Sequence, residues 1–443
     1  MRLVWGESGE RSDLGESILE IPGEALERIA ASVGTPAYVY HADAVRQRYA
    51  ELTDALSSFT HRIHYSVKAN SNLAMLRLLR ELGAGADIVS GGELVRARRA
   101  GFAPNDIVFS GVGKTRQELE AAVNEGIALI NVESSDELTL LADVARELGV
   151  VANLGIRVNP DVTTKTHPYT QTGERGMKFG VPLDEVLELA RFAEGEGCLS
   201  LASIGMHIGS QIQDPRHFLE GAQKLASLLD ELRSRGTHNI KSVDVGGGIG
   251  IQYTTEQPME VEEFAAAIRP VADITGLEIM LEPGRFLVGN AGYVLTRCVH
   301  SKRSGSRNFV VVDAGMNDLL RPSLYGAVHD IRVVNDESSP GSTKKTYDVV
   351  GPICETGDFL GFERVLPEVS RGTLLVVCGA GAYGFTMSSS YNSRPRPPEV
   401  LVDGNRWAVI RDRETVEDLM RGEPTSENDE LDWTRWMVLE ANG

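Results

Sequence analysis

The sequence predicts an α/β TIM barrel followed by a second, mostly β domain of sandwich or barrel-like character. Three observations carry that prediction. Short β-rich runs alternate with helical patterns from about residue 36 to 285, eight strand candidates stand in that region, and after residue 290 helical periodicity gives way to apolar runs broken by Gly, Pro and Asn turns. Strand count alone does not show closure, so a doubly wound open sheet is the competing arrangement.

The elements follow in order. Tyr38-Val39-Tyr40 opens the series, and an amphipathic stretch runs on through Leu56. The eight strand candidates are His64–Lys68, Ala86–Ser90, Ile107–Gly111, Leu129–Glu133, Leu154–Asn159, Ile204–Ile208, Val243–Gly246 and Glu278–Glu282, separated by segments rich in Ala, Leu, Glu and Arg. Runs such as Phe309–Asp313 and Leu374–Cys378 then mark the β half. The expected division is a barrel over 36–288, a β domain from 289–423 joined by 1–35, and a C-terminal tail, 424–443, that is acidic and carries two tryptophans.

Composition narrows the function classes. A net charge of -19 and a pI near 5.0 argue against nucleic acid or anionic membrane as the main partner. The N-terminus turns polar at once, and no apolar run approaches the roughly 18–20 residues that span a bilayer. The four cysteines, Cys198, Cys298, Cys354 and Cys378, lie far apart without a Cys-x-x-Cys pair, which points away from zinc or a disulfide framework and towards a reducing cytoplasm.

In a barrel of this type, chemistry sits at the C-terminal ends of the strands. Lys68 ends the first strand candidate. Burial there is expected to lower its pKa, so that the free amine condenses with a carbonyl; alone, it reads more simply as a surface lysine closing a strand. The sixth strand offers His207, able to stack on a flat cofactor, and Ser210, able to reach a phosphate; a lone strand histidine is otherwise a core residue. The seventh ends in Gly246-Gly247-Gly248, whose backbone N–H groups can form an anion nest or merely a flexible turn. The eighth ends in Glu282-Pro283-Gly284-Arg285: a carboxylate for a protonated ring nitrogen and a phosphate holder, or simply a Glu282–Arg285 ion pair. Together these are the needs of pyridoxal 5'-phosphate attached through a lysine Schiff base. No metal site is expected.

One motif is a decoy. Gly379-Ala380-Gly381-Ala382-Tyr383-Gly384 matches Gly-x-Gly-x-x-Gly after a strand, with Glu399 further on. Residues 385–390 and the prolines at 395, 397 and 398 cannot form the phosphate-binding helix of a nucleotide fold.

The chain resembles the alanine-racemase-like, fold type III pyridoxal-phosphate decarboxylases from about residue 36 to 420. The resemblance is carried by Tyr65–Asn70, Gly85–Leu94, His207–Gln211, Glu282–Arg285, Gly315–Asp318, Arg321–Gly326, Cys354–Asp358 and Gly381–Gly384. It implies a homodimer with active sites at the interface. It also implies that Lys68 attaches the cofactor, that His207 stacks on its ring and Glu282 pairs with its nitrogen, and that Asp87 stands among the cofactor-binding residues. Ser210, Gly246 to Gly248, Gly284, Arg285 and Tyr383 would hold phosphate, and Cys354 would be the proton donor contributed by the partner subunit.

The substrate-side residues resemble the branch that decarboxylates meso-2,6-diaminopimelate at its D-centre to L-lysine, the last step of lysine biosynthesis. A distal carboxylate needs an arginine fork, which Arg285 and Arg321 match, with Tyr325 and Tyr383 beside them and Glu355 for the distal ammonium. The alternatives are a sister decarboxylase for another amino acid, a non-catalytic homologue and a racemase on the same barrel. Retention of Lys68 and Cys354 speaks against the second, and the Cys354–Asp358 segment against the third. Gly111-Val112-Gly113-Lys114-Thr115 departs from the usual Gly-Asn-Asn-Lys-Ser pattern.

Overall fold

A computed structural model describes residues 21–164, 167, 169, 172–174, 176–335 and 344–423. The tail from residue 424 and residues 1–20 lie outside the described residues. Eight parallel strands close into a barrel: β2 (His61–Ser66), β3 (Gly85–Ile88), β4 (Ile107–Phe109), β5 (Leu129–Val132), β6 (Ala152–Asn159), β8 (Leu199–Met206), β9 (Ser242–Asp244) and β10 (Glu278–Leu281). The ring closes through β10 on β2 and β5 on β6, so the open-sheet alternative does not hold. A two-residue strand, β7 (Val181–Pro182), adds to the end of β6.

Local sequence explains the repeat. Strands β3 and β5 are buried along their whole length, as parallel strands covered on both faces must be. Ser90, Thr115 and Ser134 stand in the loops that follow β3, β4 and β5, and each side chain accepts a hydrogen bond from the backbone N–H of the glutamate three residues on. Such a cap is worth about 1 kcal/mol. Gly101, Gly126 and Gly149 close the same helices in the left-handed conformation. The barrel strands stop one or two residues before the sequence expectation in most cases: β2 ends at Ser66, and Lys68 falls in the 3-10 turn Val67–Ala69. In the departing motif, buried Lys114 donates to Gly111 O, Asn131 O and Glu137, so it serves the packing of the barrel rim.

The second sheet contains β1 (Ala37–His41), β11 (Gly292–Ser304), β12 (Arg307–Val312), β13 (Ile331–Val333), β14 (Lys345–Val350), β15 (Phe359–Leu366), β16 (Leu374–Val377), β17 (Glu399–Asp403) and β18 (Arg406–Arg411). Tyr38–Tyr40, which sequence order groups with the barrel, pairs here instead, antiparallel to β11 and parallel to β17. A short apolar run does not encode which sheet it joins; its partners lie far downstream. The helix Gly23–Val33 covers this sheet, burying Leu26 and Ile29 in a cluster with Val39, Leu295, Val376 and Val400.

The two halves meet through buried polar contacts. Glu399 accepts from Tyr40 Oη (2.7 Å), Asn72 Nδ2 (2.9 Å) and Arg411 Nε (2.7 Å). The decoy glycine motif belongs to this seam. Tyr383 N–H donates to Ala69 O at 2.8 Å, Asn70 Nδ2 to Gly381 O at 3.2 Å, and a Cβ at Gly381 would lie 1.8 Å from Val288 O. Glycine is needed there for backbone-on-backbone packing. Gly381→Ala is therefore expected to destabilise the chain by about 1–3 kcal/mol, read as a lower urea midpoint; an unchanged midpoint would show that the seam relaxes freely.

Candidate active site

The strand ends of β2, β3, β9 and β10 assemble a cationic amine against three carboxylates. Lys68 keeps a third of its side chain accessible, and its Nζ lies 3.5 Å from Oδ2 of fully buried Asp87. Ser66 Oγ donates to the same Asp87 oxygen at 2.7 Å and to Glu282 O at 2.9 Å, tying the three strand ends together. Glu282, buried, accepts from Ser110 Oγ at 3.0 Å and faces Asp244. Burial, then the Asp244 and Asp87 charges, raise the Glu282 carboxyl well above the usual carboxylate range. Asp244 is raised as well, chiefly by burial, and its Oδ1 accepts the Gly246 N–H at 2.7 Å.

The charge state of Lys68 differs from the sequence expectation. Burial does act to lower its pKa, but Asp87, Tyr383 and Glu282 together outweigh burial and raise it. The sequence shows the burial of a strand end and not the acids that three other segments bring beside it.

Other expected residues gather around this centre. His207 Nδ1 accepts the Gly247 N–H at 3.1 Å, which places the ring proton on Nε2. Burial, then the cations Lys68 and Arg157, hold the imidazole well below its usual pKa, so it is neutral. Two amides of the glycine run are thus engaged by the protein: Gly246 with Asp244, Gly247 with His207. Nor is the run a loose turn, because a Cβ at Gly247 would lie 2.1 Å from Glu282 O, and one at Gly248 2.2 Å from Gly209 O. Gly284 is similarly close-packed, its Cβ position 3.0 Å from Ser66 and Ala69. Arg285 is buried; its Nη2 donates to Ser210 Oγ at 3.0 Å, its Nη1 to Tyr253 Oη, and its guanidinium carbon sits 5.0 Å from the Tyr383 ring centre. It makes these contacts rather than an ion pair with Glu282.

Arg321 is buried beside Tyr253, whose ring centre lies 4.5 Å from its guanidinium carbon. Tyr325 stands close enough to Arg285 and Arg321 to act on both charges. Cys354 and Glu355 are placed differently. Both are exposed; Cys354 is held by Asn392, with N–H and Sγ at 3.2 and 3.3 Å from Oδ1, and Glu355 bonds the Tyr391 hydroxyl. No described contact joins either to Lys68.

Sequence reasoning missed Asp244, Tyr253, His329 and Arg157. Asp244 had a signal, as an acid at the end of the seventh barrel strand. Arg157, held by Glu133 at 2.9 Å, faces the site from β6, and Tyr253 and His329 lie in loops, where only contacts reveal them. An open groove of about 1090 Å³, lined by Arg48, Asp214, Arg216 and Glu262 among others, contains neither Lys68 nor Glu282.

The donor set fits pyridoxal 5'-phosphate. Three buried carboxylates face one lysine, a deficit of positive charge that a protonated ring nitrogen would relieve. Buried Arg285 with Ser210 presents a cation to a phosphate. No group of metal-ligating side chains occurs among the described residues, and no described helix is long and apolar enough to cross a membrane.

Residues 42–289 match the family model for the pyridoxal-binding domain of pyridoxal-dependent decarboxylases, and the chain belongs to that class of lyases. Within the class it belongs to the diaminopimelate decarboxylase family. It is 46% identical over 402 residues to the diaminopimelate decarboxylase of Pseudomonas aeruginosa, covering 90% of this chain and 95% of that protein. The Aquifex aeolicus enzyme is also 46% identical, over 90% of this chain and 94% of its own. The crystal structure of the Helicobacter pylori enzyme complexed with L-lysine superposes with a TM-score of 0.86 at 41% identity, covering 89% of this chain and 98% of that one.

The carboxylate cluster makes a pH prediction. Asp244 titrates higher folded than unfolded, so the folded chain binds the extra proton and stability from this group falls as pH rises through the carboxylate range. Asp244→Asn keeps an acceptor for Gly246 and removes the charge. In cofactor-free protein its urea midpoint should match wild type at the acid end and exceed it increasingly towards neutral pH; a pH-independent difference would contradict the cluster.

Proposed function

We propose that this chain decarboxylates meso-2,6-diaminopimelate at its D-centre, with pyridoxal 5'-phosphate, to give L-lysine and CO₂, the last step of lysine biosynthesis in the cytoplasm. The observation that carries the reading is the pairing of two sites: a lysine among buried carboxylates, and beside it two buried arginines suited to a substrate with a second carboxylate. The homologous enzymes, which align over about nine-tenths of this chain and share its fold, support it. A barrel that begins after His41 and runs to about residue 288, with a β domain over 289–423 that also takes in the helix Gly23–Val33 and the strand Ala37–His41, frames the site between two halves.

The residues take the following roles. Lys68 holds the cofactor covalently, with Asp87 beside its amine. Neutral His207 lies against the ring, and Glu282, paired with Asp244, keeps a proton at the ring nitrogen. Arg285, Ser210, Gly284 and Tyr383 hold the phosphate end, and of the Gly246–Gly248 turn Gly248 is the member whose amide neither Asp244 nor His207 engages. When bound, the cofactor supplies an electron sink for the pair released by carbon–carbon cleavage. Arg321 and Tyr325 bind the carboxylate that is retained in lysine, with Arg285 near enough to add its charge.

The proton that replaces CO₂ on the α-carbon comes from Cys354 of the partner subunit in a homodimer, with Glu355 of the partner subunit at the distal ammonium. What supports this is the exposure of both residues on a loop tied to Asn392, away from Lys68 of the same chain.

The test is CO₂ release by purified protein across meso-diaminopimelate, lysine, ornithine, arginine and glutamate. Release from diaminopimelate alone is expected; release from ornithine or lysine in its place would assign the chain to a sister activity. Lys68→Ala should lose the visible absorbance of lysine-bound cofactor, and an unchanged spectrum would remove Lys68 from that role. Cys354→Ala should lower kcat with cofactor still bound; wild-type turnover would mean that another group delivers the proton.

A further inference from the structure

Arg321, assigned above to the carboxylate retained in the product, is held from behind. Its Nη1 lies 3.0 Å from Nε2 of His329, and Nδ1 of His329 lies 2.8 Å from the Cys378 carbonyl oxygen. Chemistry places the protons. A carbonyl only accepts, so Nδ1 carries the hydrogen; a guanidinium only donates, so Nε2 is the acceptor. One neutral tautomer satisfies both contacts. His329 is fully buried, and burial, then the Arg321 charge, push its pKa down to about 3, so the tautomer persists at neutral pH.

Tyr253 completes the mount. Its ring packs edge-on to His329 at 5.1 Å, supports the Arg321 guanidinium, and receives a hydrogen bond from Arg285. The one nitrogen of Arg321 that is buried without a hydrogen-bond partner is Nε. A buried guanidinium with an orphaned donor bears a desolvation cost that a carboxylate on that edge would remove.

We propose that His329 is a positioning residue for substrate selection: by engaging Nη1 it reserves the Nε edge of Arg321 for the retained carboxylate, and so favours ligands that carry one over those that do not. The proposal rests on the decarboxylation reading for the identity of the substrate. Its own content is the division of labour between the two sides of one guanidinium. Tyr253 is the poorer probe, because it also touches Arg285 on the cofactor side.

The experiment compares His329→Phe, which fills the volume without an acceptor, with His329→Gln, which restores one, both as holoenzyme. His329→Phe should raise KM for meso-diaminopimelate about tenfold or more with kcat within about threefold. The inhibition constant of L-lysine, which keeps the carboxylate, should rise in parallel, while that of 1,5-diaminopentane, which lacks one, stays level. His329→Gln should recover most of the loss. Unchanged constants in His329→Phe, an equal rise for the diamine, or no recovery with Gln would each overturn the proposal. If His329→Phe does not fold, His329→Asn, too short to reach Arg321, makes the same comparison. If the wild type releases no CO₂ from meso-diaminopimelate, the parent reading fails, yet lysine and diamine binding followed by cofactor absorbance still decide the role of His329.

Discussion

The arrangement on which the site depends is the confinement of the buried carboxylates Asp87, Asp244 and Glu282 beside Lys68 in the barrel mouth. Burial and mutual repulsion raise two of these acids, Glu282 well above the usual carboxylate range and Asp244 to about 6. Asp87, Tyr383 and Glu282 raise the Lys68 amine against the effect of burial. A protonated ring nitrogen placed against Glu282 would relieve the repulsion and weaken the hold on the lysine proton. Cofactor affinity and lysine reactivity are thus two consequences of one charge imbalance.

The surrounding architecture exists to keep these groups in register. Ser66 links the ends of β2, β3 and β10 by sharing its hydroxyl between Asp87 and the Glu282 carbonyl. The glycine turn after β9 lets Glu282, His207 and Gly209 approach at backbone distance. On the far side, the seam with the second sheet brings Tyr383 over Arg285 and mounts Arg321 on Tyr253 and His329. The carboxylate cluster is therefore built by the barrel, and the Arg321 mount by the seam.

Much of this was legible in the sequence. The alternation of apolar runs with helical patterns marks eight strands, and Lys68, His207 and Glu282 fall at or just past the ends of three of them. What was not legible depends on residues brought together from distant segments. The protonation of Lys68 is set by Asp87, Glu282 and Tyr383, none of them its sequence neighbours. The glycine run reads as an anion nest until the Gly246 and Gly247 amides are seen to be engaged by Asp244 and His207. Tyr38–Tyr40 reads as part of the barrel because its pairing partners, β11 and β17, come so much later. Tyr253 and His329 carry no motif at all; only packing against Arg321 gives them a role.

The central claim is that burial and the Asp244 and Asp87 charges raise the Glu282 carboxyl well above the usual carboxylate range, and that a protonated ring nitrogen held against it would bring it back down. Infrared difference spectroscopy addresses it directly, comparing wild type with Glu282→Gln before and after addition of pyridoxal 5'-phosphate at neutral pH. A protonated-carboxyl stretch should be present in cofactor-free wild type, missing in the variant, and lost from wild type when the cofactor binds. Its absence from cofactor-free wild type, or its persistence after binding, would contradict the account.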